Sequence, residues 1–302
     1  MNATITAHEL QKLLADDSVF LLDVLLPEDF ACRHIAGAGN ACVYEMVFLE
    51  TVEKLVPDRE RAVVVYDDSG TTLAARTAQE KLERSGYQNV AILAGGINGW
   101  CDVGFEVETG TAGTSPVAAR DGVYQVDVEK SVVEWTGRNI NNRHYGRVAL
   151  SGGEVVVAHG RPVSGRFVID MNTITNLDLQ DEGWRGMLLR HLKSEDFFDV
   201  EHYPEATFEF IGTAAIAECT PGTPDTEIVG LLTIKDTARE IRFPAVIAAQ
   251  EDGSFKAQAV FNLDRTLWNV CYGSGRLYER LGMHLVHDLV SVEMFIVARE
   301  IP

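Results

Sequence analysis

HLKSEDFFDVEHYP, His191 to Pro204, is the stretch whose reading decides the second half of this chain. Leu192, Phe197, Phe198 and Val200 are apolar, and a polar or charged residue stands beside almost every one. Neither a helical nor a strand period fits that spacing. Pro204 has no amide N–H and biases Tyr203 toward extended geometry, so it marks a boundary. Directly beyond it, Ala206-Thr207-Phe208-Glu209-Phe210 alternates as a half-buried strand does. The stretch therefore reads as a compact connection, anchored by aromatic side chains, that feeds a strand.

Working outward, the same pattern continues. Short alternating segments are expected at 124–127, 131–135, 146–150, 154–157, 165–170, 207–210, 227–234, 240–248, 254–262 and 289–298. Turn signals fall at Ser151-Gly152-Gly153, Pro221-Gly222-Thr223-Pro224 and Asp252-Gly253, and residues 184–191 read as a helix between strands. Short strands with regular punctuation are the mark of an antiparallel barrel. The ordered match HL-x-S-x-DFFDV-x-x-YP-x-ATFEF resembles the signature of the YceI-like proteins, which are lipocalin-like barrels. VEWTGRN (133–139), SGRFVIDMNTITNLDL (164–179) and VGLLTIKDTAREIRFPAVI (229–247) agree with it. The resemblance implies an eight-stranded antiparallel β-barrel over residues 122–302.

The first 109 residues follow a different period. Val19–Val24, Val63–Tyr66 and Val90–Leu93 are continuous apolar runs, as buried parallel strands are. Helices are expected at 6–14, where Thr6 and Glu9 make a capping pair, and at 73–85. Strand, loop, helix and strand in alternation give an α/β domain with a parallel sheet. LLDV-x-x-x-x-x-F-x-x-x-HIAGA, then VVVY-loop-helix, then AILAGGINGW, is similar to a rhodanese domain. Residues 110–121 are small and polar and read as a linker.

That resemblance implies a nucleophilic cysteine directly after the VVVY strand, in a loop whose N–H groups stabilise a thiolate at the positive end of a helix. The loop here is Asp67-Asp68-Ser69-Gly70-Thr71-Thr72. A carboxylate cannot accept sulfane sulfur, but it can accept the loop's N–H groups and cap the helix. Thr72 stands where a basic residue is usual, and Leu25 where an arginine often follows the LLDV strand. A catalytically inactive domain is expected, serving as an interaction or regulatory module. Cys101 and Cys32 are the thiols a non-standard sulfurtransferase would have to use.

Composition sets limits. The chain has 302 residues, 46% hydrophobic, with net charge −19 spread over both halves. That disfavours nucleic acid, which requires Lys and Arg patches, and disfavours adhesion to anionic membranes. Five widely spaced cysteines without a C-x-x-C fit a reducing compartment. With no signal segment or apolar run of membrane-spanning length visible, a cytoplasmic protein without stable membrane insertion is expected.

The YceI-like resemblance implies a long-chain lipid in the barrel, a polyisoprenoid or quinone, and often a homodimer. Trp135, Phe167, Ile169, Phe208, Phe210, Leu232, Phe243, Phe261 and Trp268 are the expected lining residues, though ordinary core packing would use the same types. Arg138, Asn142, Arg190 and Arg265 are candidates for a head group. His191 and His202 read as surface or hydrogen-bonded loop histidines. His284-x-x-His287-Asp288 would share a face for metal only on a helix, so no metal or other cofactor is expected. The competing classes are an enzyme acting on the barrel's ligand and a structural protein with a filled barrel.

Overall fold

A computed structural model describes residues 4–110, 119–217, 219–220, 222–250 and 252–301. The chain divides into two units, residues 1–116 and 117–302. Most of the expected linker, residues 111–118, lies outside the described residues.

The first unit runs β1 (Thr4–Ile5), α1 (Ala7–Ala15), β2 (Val19–Asp23), α2 (Pro27–Cys32), β3 (Arg33–His34), β4 (Gly39–Asn40), α3 (Phe48–Leu55), β5 (Ala62–Tyr66), α4 (Ala74–Arg84), β6 (Val90–Leu93), α5 (Gly96–Asp102) and β7 (Glu108–Thr109). A parallel sheet of order β1-β6-β5-β2-β4 forms its centre. Val63 to Tyr66 are fully buried, because helices cover both faces and each side of the strand needs an apolar residue. Ala75, Ala78 and Leu82 form the buried stripe of α4 at helical spacing. Thr6 and Glu9 cap α1 reciprocally, the Glu9 amide donating to Thr6 Oγ1 and the Thr6 amide to Glu9 Oε2.

The second unit is a closed antiparallel barrel. Its strands are β8 (Gly122–Val126), β9 (Val132–Arg138), β10 (Arg143–Ala158), β11 (Arg161–Asp170), β12 (Glu205–Ala215), β13 (Thr226–Ile234), β14 (Thr237–Ala249), β15 (Ser254–Asp264) and β16 (Leu289–Glu300). These nine segments make eight staves. β8 and β9 both lie between β10 and β16, one after the other in the same direction, interrupted at 127–131. Each remaining strand pairs with its neighbour in sequence, and β16 closes the ring. Alternation decides what faces inward: Ala206, Phe208 and Phe210 on β12, and Ile228, Gly230, Leu232 and Ile234 on β13. A side chain at 230 would collide with the Phe208 ring, so glycine is required there.

One sequence expectation is corrected. Ser151-Gly152-Gly153 is not a turn between two strands; β10 runs unbroken for 16 residues and carries a bulge at that point. Gly153 is there for close approach: a Cβ would meet Val126 Cγ2 at 2.9 Å and the Arg166 carbonyl at 3.0 Å.

The stretch 191–204 begins inside a helix. α6 (Glu182–Lys193) starts at Asp181, whose side chain accepts from the Trp184 amide, and stops at Ser194, whose hydroxyl donates to the His191 carbonyl. Asp199 then turns the chain at φ +48°. Phe197 and Val200 are buried in the barrel's core, and β12 follows Pro204 directly.

Candidate functional site

The inward faces of the staves surround a cavity of about 470 Å³, within the range of about 300–1,000 Å³ usual for small-molecule sites. Eight of the nine expected lining residues face it: Trp135, Phe167, Ile169, Phe208, Phe210, Leu232, Phe243 and Phe261. Phe243 and Phe261 stack with ring centroids 4.3 Å apart. Trp268 does not line it. Its indole is buried in packed core and donates to the Leu232 carbonyl at 2.9 Å, because the chain after β15 folds over as a short 3-10 turn, 265–268. Val148, Val292, Met294 and Ile296 line the cavity and were not singled out from the sequence; the alternation of β16 would have shown the last three.

The cavity has one polar end. Arg138, Asn139, His144, His191 and His287 gather there, from the end of β9, the start of β10, the last turns of α6 and the segment before β16. His191 is not a loop histidine: it sits half-buried on α6, edge-on to Phe197 and Tyr272 at 4.9 and 4.5 Å and 3.3 Å from Asp196. His202 is exposed beside Asp199, which raises its pKa by hydrogen bonding. Burial pushes the Asp178 carboxyl up. The Tyr145 amide, His144 and Asn176 outweigh that and hold it below the usual range.

The four head-group candidates separate. Arg138 lines the cavity and donates to Ser291 Oγ at 2.8 Å. Asn142 lies in a shallower groove with His144, Leu179, Trp184, Met187, Leu188 and His191. Arg190 faces solvent on α6, away from the cavity. Arg265 touches the cavity, but its guanidinium is committed to the carbonyls of Val270, Tyr272, Val286 and His287. Burial lowers its pKa and Asp288 opposes that. Sequence position could not reveal this, since all four acceptors come from the fold. One further polar atom stands out: Trp135 Nε1 is buried with no hydrogen-bond partner, in a residue that lines the cavity. Among the described residues no cluster of three His, Cys, Asp or Glu side chains has the arrangement of a metal site.

In the first unit the loop after β5 closes on itself. Asp67 is fully buried; its carboxylate accepts from the Gly70 amide at 2.6 Å, from Thr72 Oγ1 at 2.7 Å and from the Ala75 amide at 3.4 Å, at the start of α4. Arg33 donates to both Asp68 (2.8 Å) and Asn98 (2.9 Å), and Asn98 donates back to Asp68. Gly96, at φ +58°, leaves the space the Asp67 carbonyl occupies. Two backbone amides, those of Gly70 and Ala75, and the Thr72 hydroxyl are thus taken by the Asp67 carboxylate. Ser69 and Thr71 bond to each other through their hydroxyls at 2.6 Å.

The model of the YceI-like domain matches residues 124–298, more than half of the chain. The chain belongs to the YceI-like family. Ahead of the YceI-like barrel, residues 6–102 match the rhodanese-like domain. Among solved structures, the chain is similar to Burkholderia cenocepacia BcnA, at 25% identity over 57% of this chain and 98% of that one (TM-score 0.45). It is similar also to a polyisoprenoid binding domain from Saccharophagus degradans, at 12% identity over 60% and 100% (TM-score 0.44). The rhodanese-like domain of an Anabaena protein matches at 24% identity over 40% and 89% (TM-score 0.33). Comparison with curated proteins gives no match. No described helix is long and apolar enough to cross a membrane.

Proposed function

We propose that the chain is a carrier or sensor of one long-chain apolar ligand, a polyisoprenoid or quinone, held inside the YceI-like barrel. The observation that carries this reading is the cavity inside the barrel, lined mainly by Val, Ile, Leu, Met and Phe side chains. Ten methylenes buried in it contribute about 8 kcal/mol before the ordering of the chain is subtracted. Such a site needs few polar anchors. Mass spectrometry of an organic extract of the purified protein tests it: one dominant long-chain lipid is expected, and an extract indistinguishable from a buffer blank overturns it.

The unpartnered Trp135 Nε1–H favours a ligand with one hydrogen-bond acceptor near the polar end. Trp135→Phe keeps an aromatic ring, smaller than the indole, and removes the donor. An acceptor-bearing isoprenoid is expected to bind roughly 3–10-fold more weakly to this variant, while a plain hydrocarbon chain of the same length binds unchanged. Equal losses for both would mean that Trp135 only packs.

The rhodanese-like domain belongs to the proposal as a non-catalytic interaction or regulatory module. The self-occupied loop around Asp67 supports this reading. The full chain is expected to show no thiosulfate:cyanide sulfurtransferase turnover above background. Asp67→Cys alone is expected to stay far below an active rhodanese, because Thr72 and Leu25 supply no positive charge. Control-level turnover by the unmodified chain, lost on substituting Cys101 or Cys32, would establish the competing enzyme. Five free cysteines fit a reducing compartment, so a cytoplasmic location is part of the same reading. The family resemblance adds a homodimer formed through the barrel.

A further inference from the structure

Beside the polar end of the cavity acids do not outnumber bases as they do in the chain as a whole. Residues 138–147 and 183–193 together carry six basic side chains and no acidic one, in a chain with 45 acids and 26 bases. The two segments meet in the shallow groove that contains Asn142, Trp184 and Met187. His144, Leu188 and His191 line both this groove and the cavity, so the two adjoin. Acids flank the same segments: Glu134 pairs with Arg147, Glu182 with Arg185, Asp178 with His144 and Asp196 with His191, while Asp181 accepts from the Trp184 amide; Arg143 and Arg190 stand outside these pairs. Arg143 and Arg190 are exposed; the first lies over the Tyr145 ring at 5.4 Å, and the second runs along α6 past Gly186.

Large apolar side chains stand in water between these charges. Trp184 is 63% exposed, Met187 53% and Ile140, in the turn from β9 to β10, 72%. The segment 271–287 reaches the same end through the bridge between Asn139 and Val286, and it exposes Leu277, Tyr278 and Met283 beside the adjacent pair Glu279 and Arg280. Tryptophan, methionine and arginine on the outer side of a short helix suit the boundary between head groups and acyl chains. A protein partner would need matching acids, whereas a bilayer offers negative charge and hydrocarbon together.

We propose that this face docks reversibly on an anionic lipid bilayer, bringing the polar end of the cavity to the surface from which the ligand is drawn. The inference rests on the carrier reading of the barrel. The net charge of −19 does not forbid it, since at physiological salt the Debye length is about 8 Å and the exposed Arg143 and Arg190 govern contact at this face. Docking of this kind needs no inserted segment.

The test is sedimentation of the full chain with vesicles of phosphatidylcholine alone or mixed with phosphatidylglycerol. Binding is expected only with the anionic vesicles and is weakened by salt. Arg143→Glu with Arg190→Glu lowers the partition coefficient at least about tenfold. Trp184→Ser with Met187→Ser lowers it as well, and brominated lipid quenches emission from the unmodified chain but not from Trp184→Phe. Circular dichroism of each variant confirms the fold. No vesicle binding, equal binding to neutral and anionic vesicles, or binding untouched by the arginine substitutions overturns the proposal. So does self-association through this face that Trp184→Ser removes, which assigns it to a second copy of the chain. Organic extracts of the same preparations read the carrier function separately: lipid in the extract without vesicle binding overturns docking alone, and vesicle binding without extracted lipid upholds docking and overturns the carrier.

Discussion

Val148→Trp leaves the barrel folded and empties it of lipid. Val148 lies on β10, pairs with Val133 on β9, and lines the cavity. An indole at this position projects into space that no side chain fills. Overpacking a solid core costs about 1–3 kcal/mol, because neighbours must leave their rotamers. Within a cavity of about 470 Å³ the added ring finds room, and the melting temperature is expected to shift by no more than about 4 °C. The ligand has no such latitude, since a long chain must thread the whole tube and one ring across it removes the path. The lipid recovered per mole of protein is expected to fall at least about tenfold, as each methylene left in water forfeits about 0.8 kcal/mol. Loss of the fold with no lipid in the unmodified protein would describe a filled barrel, and the structural reading would stand in place of the carrier.

Arg265→Met has the largest expected effect on stability. Arg265 is 3% exposed, and its Nε and Nη2 reach the carbonyls of His287 (3.0 Å), Tyr272 (2.8 Å) and Val286 (3.2 Å), with Nη1 on Val270. It lies over the Phe197 ring at 5.7 Å. One side chain thereby ties the segment between β15 and β16 to the signature stretch. Methionine keeps the stem and strands four carbonyls, for an expected loss of about 3–5 kcal/mol in urea unfolding of the barrel. Arg265→Lys is expected to recover less than half of that, because an ammonium cannot fork to four acceptors in one plane. A loss under about 1 kcal/mol for Arg265→Met would show that the segment is held by its apolar contacts alone.

Much of the fold was legible locally. The apolar runs at 19–24, 63–66 and 90–93 could only be covered strands, since each residue of such a strand meets a packed layer. The alternation at 206–210 put Ala206, Phe208 and Phe210 on one face, since the strand period is two, and all three line the cavity. Local patterning failed at Ser151-Gly152-Gly153, because a glycine needed for close approach and a glycine needed for a turn look alike until the neighbouring strand is in place. It failed at Trp268, because the chain leaves the strand period just before that residue.

The sequence by itself determined the two domains, the parallel sheet and the barrel, since each follows from residue type and period along the chain. Only the tertiary structure decided that the barrel is hollow, because a void depends on how eight inward faces meet across an axis, and no single strand contains that information. It alone decided that the Asp67 carboxylate bonds back into its own loop, that Arg265 is spent on four carbonyls, and that Asn142 and His144 meet Trp184, Met187 and His191 in one groove. Those partners lie from a few to more than forty residues apart, and only the closure of the backbone brings them within reach.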